Sequence, residues 1–252
     1  MSEKLYTIPL KDAFLANDEC PFCHIEKKIE EDLLDFVLGS GSSYMQNNVR
    51  EVTDKMGFCR NHYQKMFQYG NTLGNAWILK SHFQNLREEL LKKYKDYKPH
   101  KAFFPTKIRK ASSQNEIGIF VADRIQSCYI CNQYSATYER YLETFFMMYQ
   151  KDLAFRDTII NSKGFCLYHF GHLCEMADYK LSKKEFSEFY SSMIHLMDKN
   201  LERVQEDISW LIEKFDYRNQ DADWKNSKDA IQRGMQKMAG GYPATNFYKQ
   251  SK

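Results

Sequence analysis

The stretch Cys20-Pro21-Phe22-Cys23, followed by Gly57-Phe58-Cys59-Arg60-Asn61-His62 with 35 residues between Cys23 and Cys59, decides how this chain is read. The same pattern returns as Cys128-Tyr129-Ile130-Cys131 and Gly164-Phe165-Cys166-Leu167-Tyr168-His169, with 34 residues between Cys131 and Cys166. The same four ligand types recur in the same order at nearly the same gap. In a chain with only 7 cysteines in 252 residues this is not a coincidence, and it marks an internal duplication.

Outward from Cys23 run Ile25, Ile29, Leu33, Phe36 and Val37, an apolar stripe at helical spacing that Gly39 ends. The Cys-x-x-Cys pair therefore opens a helix. A second helix is expected from about Tyr44 to Met56, stopping at Gly57, where a missing Cβ permits a tight turn. Cys59 and His62 then share the first turn of a third helix and point to one side. Helix starts favour thiolates, because unpaired amides and the helix dipole meet there.

Three cysteines and a histidine suit a tetrahedral Zn²⁺ ion, and a closed set of four protein ligands leaves no position for water or substrate. A structural zinc is therefore favoured over a catalytic one. Iron-sulfur ligation by the same residues, in an electron-transfer or redox protein, is the alternative. Thiol redox chemistry at the Cys-x-x-Cys pairs is weaker, since the βαβ setting of thioredoxin-like motifs is missing. The simplest grouping puts Cys20, Cys23, Cys59 and His62 in one site and Cys128, Cys131, Cys166 and His169 in the other. Crossed pairing between the copies stays open. Cys174, His24 and His172 have no counterpart in the other copy and read as helix side chains.

The remaining helices are read from their stripes. Leu73, Ala76, Trp77, Phe83, Leu86, Leu90 and Tyr94 form one, and Tyr138, Leu142, Phe145, Phe146 and Tyr149 another. Phe186, Phe189, Met193, Met197, Val204, Ile208, Leu211, Ile212 and Phe215 trace a face of about 45 Å at 1.5 Å per residue. All three read as core rather than as a cofactor box. Further on, Ser227 is expected to cap a short helix that runs to Met238 and ends at Gly240, and Arg218 to pair with a nearby carboxylate.

Composition agrees with helices. The chain has 11 glycines and 5 prolines, about 6% where about 12% is usual. Collagenous and turn-rich all-β folds are excluded. Aromatic residues make up 15%, too many for a disordered polyelectrolyte. Net charge is +3, from 36 basic and 33 acidic residues. Residues 1–95 and 117–252 are each electrically balanced, so the excess lies in Asp96–Glu116, with Lys98, Lys101, Lys107, Arg109 and Lys110. With Pro99 and Pro105 this segment reads as a linker, and balanced flanks argue against a nucleic-acid surface. No run of about 18 apolar residues suggests a membrane span. Met1 to Leu15 does not read as a secretory signal, so the expectation is a cytoplasmic chain with reduced thiols.

The segments Tyr6-Thr-Ile-Pro-Leu-Lys-Asp-Ala-Phe14, Ser43-Tyr-Met45, Lys214-Phe-Asp-Tyr-Arg218 and Trp224-Lys-Asn-Ser-Lys-Asp-Ala230, with the paired cysteine motifs, are recognisable. Together they resemble a bacterial family catalogued as a domain of unknown function. The resemblance covers about Tyr6 to Gly240. It implies a cytoplasmic bacterial protein and carries no activity with it. Members are sometimes labelled ABC transporter substrate-binding proteins, a label that fits badly with the absence of an export signal or a lipid-attachment cysteine near the start.

The reading is thus an all-α protein of two pseudo-repeated helical units, each stapled by a Cys3His metal site. The first repeat is expected over residues 1–95, the linker over 96–116, the second repeat over 117–217, and a short helix and tail over 218–252. No nucleophile and base set, phosphate loop or paired-carboxylate site is present, so an interaction or adaptor module with an unidentified protein partner is preferred to an enzyme. Oligomeric state is left open.

Overall fold

The computed structural model describes residues 2–41, 43–97 and 116–244. Most of the expected linker, and the tail beyond residue 244, lie outside the described residues. Among those described, every regular element is a helix. They are α1 (Ser2–Leu15), α2 (Pro21–Leu38), α3 (Asn47–Met56), α4 (Arg60–Tyr69), α5 (Thr72–Asp96), α6 (Glu116–Gln126), α7 (Tyr129–Lys151), α8 (Leu153–Ile160), α9 (Leu167–Lys180), α10 (Lys183–Glu213) and α11 (Ala230–Ala239). Short 3-10 turns at Ser43–Met45 and Tyr217–Asn219 complete the set.

Local chemistry explains where these helices begin and end. Pro21 fits the first turn of α2, where its missing N–H costs nothing. Ser182 and Glu185 form a reciprocal capping box at the start of α10. Asp152 and Asn71 accept amide hydrogens at the starts of α8 and α5. Gly57 sits at φ 64° after α3, and Gly240 at φ 77° after α11. Both are backbone conformations that a side chain resists.

The compact units are not the sequential halves. One unit joins the residues up to Ile29 to those from Ala136 onward, and the other runs from Glu30 to Ser135. The reason is visible in the two helices that carry the Cys-x-x-Cys pairs. On α2 the buried positions Phe22, Ile25 and Ile29 are followed by Leu34, Val37 and Leu38, so the stripe changes phase at a step of five. On α7, Tyr129 and Ile130 are buried in one unit, while Tyr138, Leu142, Phe145, Phe146 and Tyr149 are buried in the other. Each of these helices thus contributes residues to both units.

The first unit is centred on phenylalanines. Phe22, Phe145, Phe155 and Phe165 are at most 2% exposed, and their rings meet largely edge to face: Phe22–Phe145 at 5.6 Å, Phe145–Phe155 at 5.9 Å and Phe14–Phe155 at 5.2 Å between centroids. Phe189, Met193, Met197 and Val204 of α10 are buried as their spacing predicted. Ile212, in the last turn of α10, and Phe215, beyond its end at Glu213, are exposed instead.

The second unit packs Leu34, Val37, Leu38, Tyr44, Phe58, Met66 and Ile78 with Cys128, Tyr129 and Ile130. Its longest helix, α5, departs from expectation: Leu73, Phe83, Leu90 and Tyr94 are exposed and Ile78 is its fully buried apolar residue. The stripe is therefore largely surface rather than core.

Two further corrections concern the end of the chain. Asp229, not Ser227, holds the cap position of α11, and the Ser227 hydroxyl donates to the Trp224 carbonyl at 2.7 Å. Arg218 does pair locally, with Asp216 at 2.6 Å.

Candidate metal centres

All eight cysteine and histidine residues of the two motif copies come together in two clusters. Cys20, Cys23, Cys166 and His169 form one, and Cys59, His62, Cys128 and Cys131 the other, with the ligand atoms of each cluster all within 4.8 Å of one another. Each cluster could hold a metal ion. The pairing is crossed: the Cys-x-x-Cys of one copy meets the Cys-x-x-His of the other. The within-copy grouping is corrected accordingly, because each compact unit draws its Cys-x-x-Cys helix and its Cys-x-x-His helix from different copies.

In the first cluster Cys20 and Cys23 flank the opening of α2, while Cys166 caps α9 and His169 sits in its first turn. The His169 Nδ1 atom lies 3.3 Å from Cys20 Sγ, 3.5 Å from Cys23 Sγ and 3.1 Å from Cys166 Sγ. Cys23 Sγ is 3.7 Å from Cys166 Sγ. All four residues are at most 1% exposed. The loop after α11 covers this cluster: the Gly241 N–H donates to Cys23 Sγ at 3.2 Å, and a Cβ on Gly240 would stand 3.3 Å from Cys166 Sγ.

The second cluster repeats the geometry. His62 Nδ1 lies 3.2 Å from Cys59 Sγ, 3.2 Å from Cys128 Sγ and 3.3 Å from Cys131 Sγ, and Cys59 Sγ is 3.8 Å from Cys131 Sγ. Cys128 and His62 are buried, Cys59 is half-buried and Cys131 is exposed.

In both clusters Nδ1 faces the sulfurs, leaving Nε2 for a second partner. His62 Nε2 is 3.1 Å from Glu30 Oε1, a carboxylate that also binds the Lys65 ammonium at 2.5 Å. His169 Nε2 is 3.1 Å from Glu26 Oε1, off the line of a good hydrogen bond. A carboxylate behind the outer nitrogen fixes the ring orientation and tautomer of a ligating histidine. Both carboxylates lie on α2, four residues and so one turn apart. Sequence reading missed them, although positions three and seven after Cys23 were a usable signal.

Without a cation, four such groups at this distance cannot all be in their ligating forms. In the first cluster the hydrogen bonds from Cys20 and Cys23 hold Cys166 far below the usual thiol range. Cys23 is pushed up by its hydrogen bonds with Cys166 and Cys20 and by burial. Burial opposes a charge on His169, but its contacts with Cys166, Cys20 and Glu26 outweigh it and lift the ring to about 12. In the second cluster burial opposes ionisation of Cys128, yet His62 and two backbone amides bring it down to about 6. Burial, aided by the Cys128 charge, pushes Cys131 up to about 12. Cys166 is thus favoured as a thiolate beside the His169 imidazolium, and Cys128 beside that of His62. A dication would displace the remaining protons and relieve the competition.

Buried charge surrounds the first cluster. Glu19, next to Cys20 and 4% exposed, accepts from Arg203 at 2.5 Å and stands 3.3 Å from the Lys237 ammonium. Lys237, itself 1% exposed, also donates to the Glu19 carbonyl at 2.6 Å and to the Lys163 carbonyl. Burial lowers Lys237 below the usual lysine range, against the pull of Glu19 and Cys20.

The other candidates stay outside both clusters. His172 packs its ring on Tyr168 at 4.3 Å, His82 bonds the Asp54 carbonyl at 2.9 Å, and the Cys174 carbonyl accepts the Tyr190 hydroxyl at 3.3 Å. His100 lies outside the described residues. No helix of the described residues is long and apolar enough to cross a membrane.

Neither a curated protein nor a solved structure matches the chain. A family model does match, over residues 1–245, and the chain belongs to that family, described as a family of unknown function (DUF6062).

Proposed function

We propose that this protein binds two zinc ions as structural staples, with Cys20, Cys23, Cys166 and His169 holding one and Cys59, His62, Cys128 and Cys131 the other, and that it serves as an interaction or adaptor module rather than an enzyme. One observation carries the choice of metal: the four ligand atoms of each cluster stand within 4.8 Å of one another, with sulfur separations of 3.7 and 3.8 Å. A tetrahedral ion about 2.3 Å from each sulfur has sulfur–sulfur edges of about 3.8 Å. An iron-sulfur cluster spreads its ligands over two or four irons joined by bridging sulfides, and ligands on different irons stand farther apart.

The crossed pairing gives the metal a folding role. Cys20 and His169 are 149 residues apart and Cys128 and His62 are 66 apart, so each ion closes a long loop whose ordering is otherwise opposed by chain entropy. Structural zinc contributes on the order of 10 kcal/mol by peptide precedent. With four protein ligands per ion, no coordination position is left for a substrate. Seven free cysteines fit a reducing cytoplasm.

The test is anaerobic purification followed by elemental analysis and absorption spectroscopy. A colourless protein with two zinc ions per chain is the expected result. A brown preparation containing iron and inorganic sulfide overturns the metal assignment, and metal-free protein with an unchanged melting temperature overturns the stapling role.

A further inference from the structure

Cys59 and Cys166 hold the same place in the two copies of the motif, and the structure treats them differently. The Cys166 sulfur accepts the His169 N–H at the start of α9 and is fully buried. The Cys59 sulfur accepts no amide hydrogen at the start of α4 and is half-buried. Cys23 receives the Gly241 amide and is buried, whereas Cys131 is exposed and, among the described residues, its sulfur has no amide donor. Amide donors withdraw charge from a thiolate and blunt it as a nucleophile, and burial keeps an oxidant away. Cys59 and Cys131, neither of them fully buried and neither given an amide donor among the described residues, have sulfurs 3.8 Å apart.

We propose that Cys131 and Cys59 form a peroxide-reactive pair whose oxidation releases the metal of the half-exposed centre while the buried centre keeps its own. The inference rests on the metal reading above. Its substrate is hydrogen peroxide. The Cys131 thiolate attacks one peroxide oxygen, forming an S–O bond as the O–O bond breaks, and the departing hydroxide takes up a proton to leave as water. The Cys59 thiolate then attacks Cys131 Sγ, forming the S–S bond as the S–O bond breaks, and the second oxygen leaves as water with one more proton. Two thiolates, one peroxide and two protons give one disulfide and two waters. The thiolates lose two electrons and the peroxide gains them. The ion loses two of four ligands, including two of its three negative charges, and dissociates as Zn²⁺.

The test uses the full-length, zinc-loaded protein, with metal content measured first, hydrogen peroxide as oxidant and a chromogenic chelator to follow release. One zinc per chain should leave at least about ten-fold faster than the second, as the difference in thiolate access predicts. Alkylation and peptide mapping at the end of that phase should find a Cys59–Cys131 disulfide, with Cys20, Cys23 and Cys166 unmodified. A dithiol reductant with added zinc should restore the starting content. Cys174→Ser, which removes the cysteine outside both clusters, should leave the fast phase intact. Release of both ions together, release from the buried centre first, a disulfide elsewhere, or loss of the fast phase in Cys174→Ser each overturns the proposal. A zinc content below two before oxidation instead overturns the metal reading, so the two failures are distinguishable.

Discussion

The two centres share ligand types, spacing and a histidine that turns Nδ1 toward three sulfurs, yet one is sealed and the other reaches solvent. Around the buried centre the Gly240–Gly241 loop supplies an amide to Cys23, and the Glu19, Arg203 and Lys237 cluster sits against Cys20. The second centre shows no such covering loop among the described residues, and one of its ligands, Cys131, is exposed. Identical ligand chemistry therefore need not give identical lability. In the proposed zinc-loaded protein, what surrounds the sulfurs, rather than the donor set, would separate a permanent staple from an exchangeable one.

The sharpest way to break this comparison is to remove the matching cysteine from each centre. Cys166→Ser and Cys59→Ser should each lose one zinc by elemental analysis. A structural zinc is worth on the order of 10 kcal/mol, which rivals the whole stability of a typical domain. Cys166→Ser should therefore abolish the cooperative unfolding transition of its unit by calorimetry, leaving unpaired polar groups in a dry core. Cys59→Ser, at a wetter site, should lower the melting temperature by less. Equal losses sink the distinction.

Chelated protein offers a second contrast, through pH. Cys128 sits at about 6 against an ordinary 9.0, so its stabilisation is present above 9.0 and is lost as pH falls through about 6. His62 sits at about 10 against an ordinary 6.5, so its contribution is present below 6.5 and is lost as pH rises through about 10. The thiolate–imidazolium pair of the half-exposed centre thus stabilises between about 6 and about 10. At the buried centre Cys166 is held lower still and His169 is lifted to about 12, so that pair persists further toward both ends. Melting temperature against pH should show the half-exposed unit failing first on acidification, and His62→Ala should flatten that limb. An unchanged acid limb in His62→Ala removes the pair from the account.

Smaller effects should follow from the outer carboxylates. Glu26→Gln and Glu30→Gln keep size but weaken the support behind the ligating ring, a change that costs about 10- to 100-fold in metal affinity in comparable sites. Each should weaken one ion only: the Glu26 variant the buried one, the Glu30 variant the half-exposed one, measured by competition with a chelator. A variant that weakens the wrong ion, or both, breaks the assignment of carboxylate to centre.

Much of this was legible in the sequence. Residue type and spacing were enough to single out the eight residues that the fold gathers into two clusters, because side chains that converge must be presented on short helix turns, and for the α7 stripe from Tyr138 to Tyr149, where one face is buried throughout. The pairing of the ligands was not legible. Cys23 is closer in sequence to Cys59 than to Cys166, and it is tertiary packing, such as that of Phe22 against Phe165 and His169, that brings α2 to α9. The α5 stripe misled for a related reason: periodicity reports that a face is apolar, not that anything covers it, and Leu90 and Tyr94 are exposed. Glu26 and Glu30 were not legible as partners, because the histidines they face lie in other parts of the chain.

The smallest expected effects separate backbone strain from metal protection. Gly240 and Gly57 both take positive φ, at 77° and 64°, so alanine at either position is strained whatever space it finds, and each substitution should cost about 1–2 kcal/mol. The neighbours differ. A Cβ at Gly57 would come within 2.8 Å of His82 Cε1, so the ring, held by a hydrogen bond to the Asp54 carbonyl, would have to shift. A Cβ at Gly240 would press on Cys166 Sγ at 3.3 Å and Cys23 Sγ at 3.7 Å, two of the sulfurs of the buried centre, and would shift the loop that carries the Gly241 amide. Gly57→Ala should therefore lower the melting temperature and leave the buried ion's dissociation rate unchanged. Gly240→Ala should lower the melting temperature by a similar amount and also speed loss of the buried ion to a chelator, bringing the two centres closer in lability. If Gly240→Ala melts earlier but releases the buried ion no faster, the covering loop contributes to folding alone, and the contrast between the centres must come from the helices that carry the ligands.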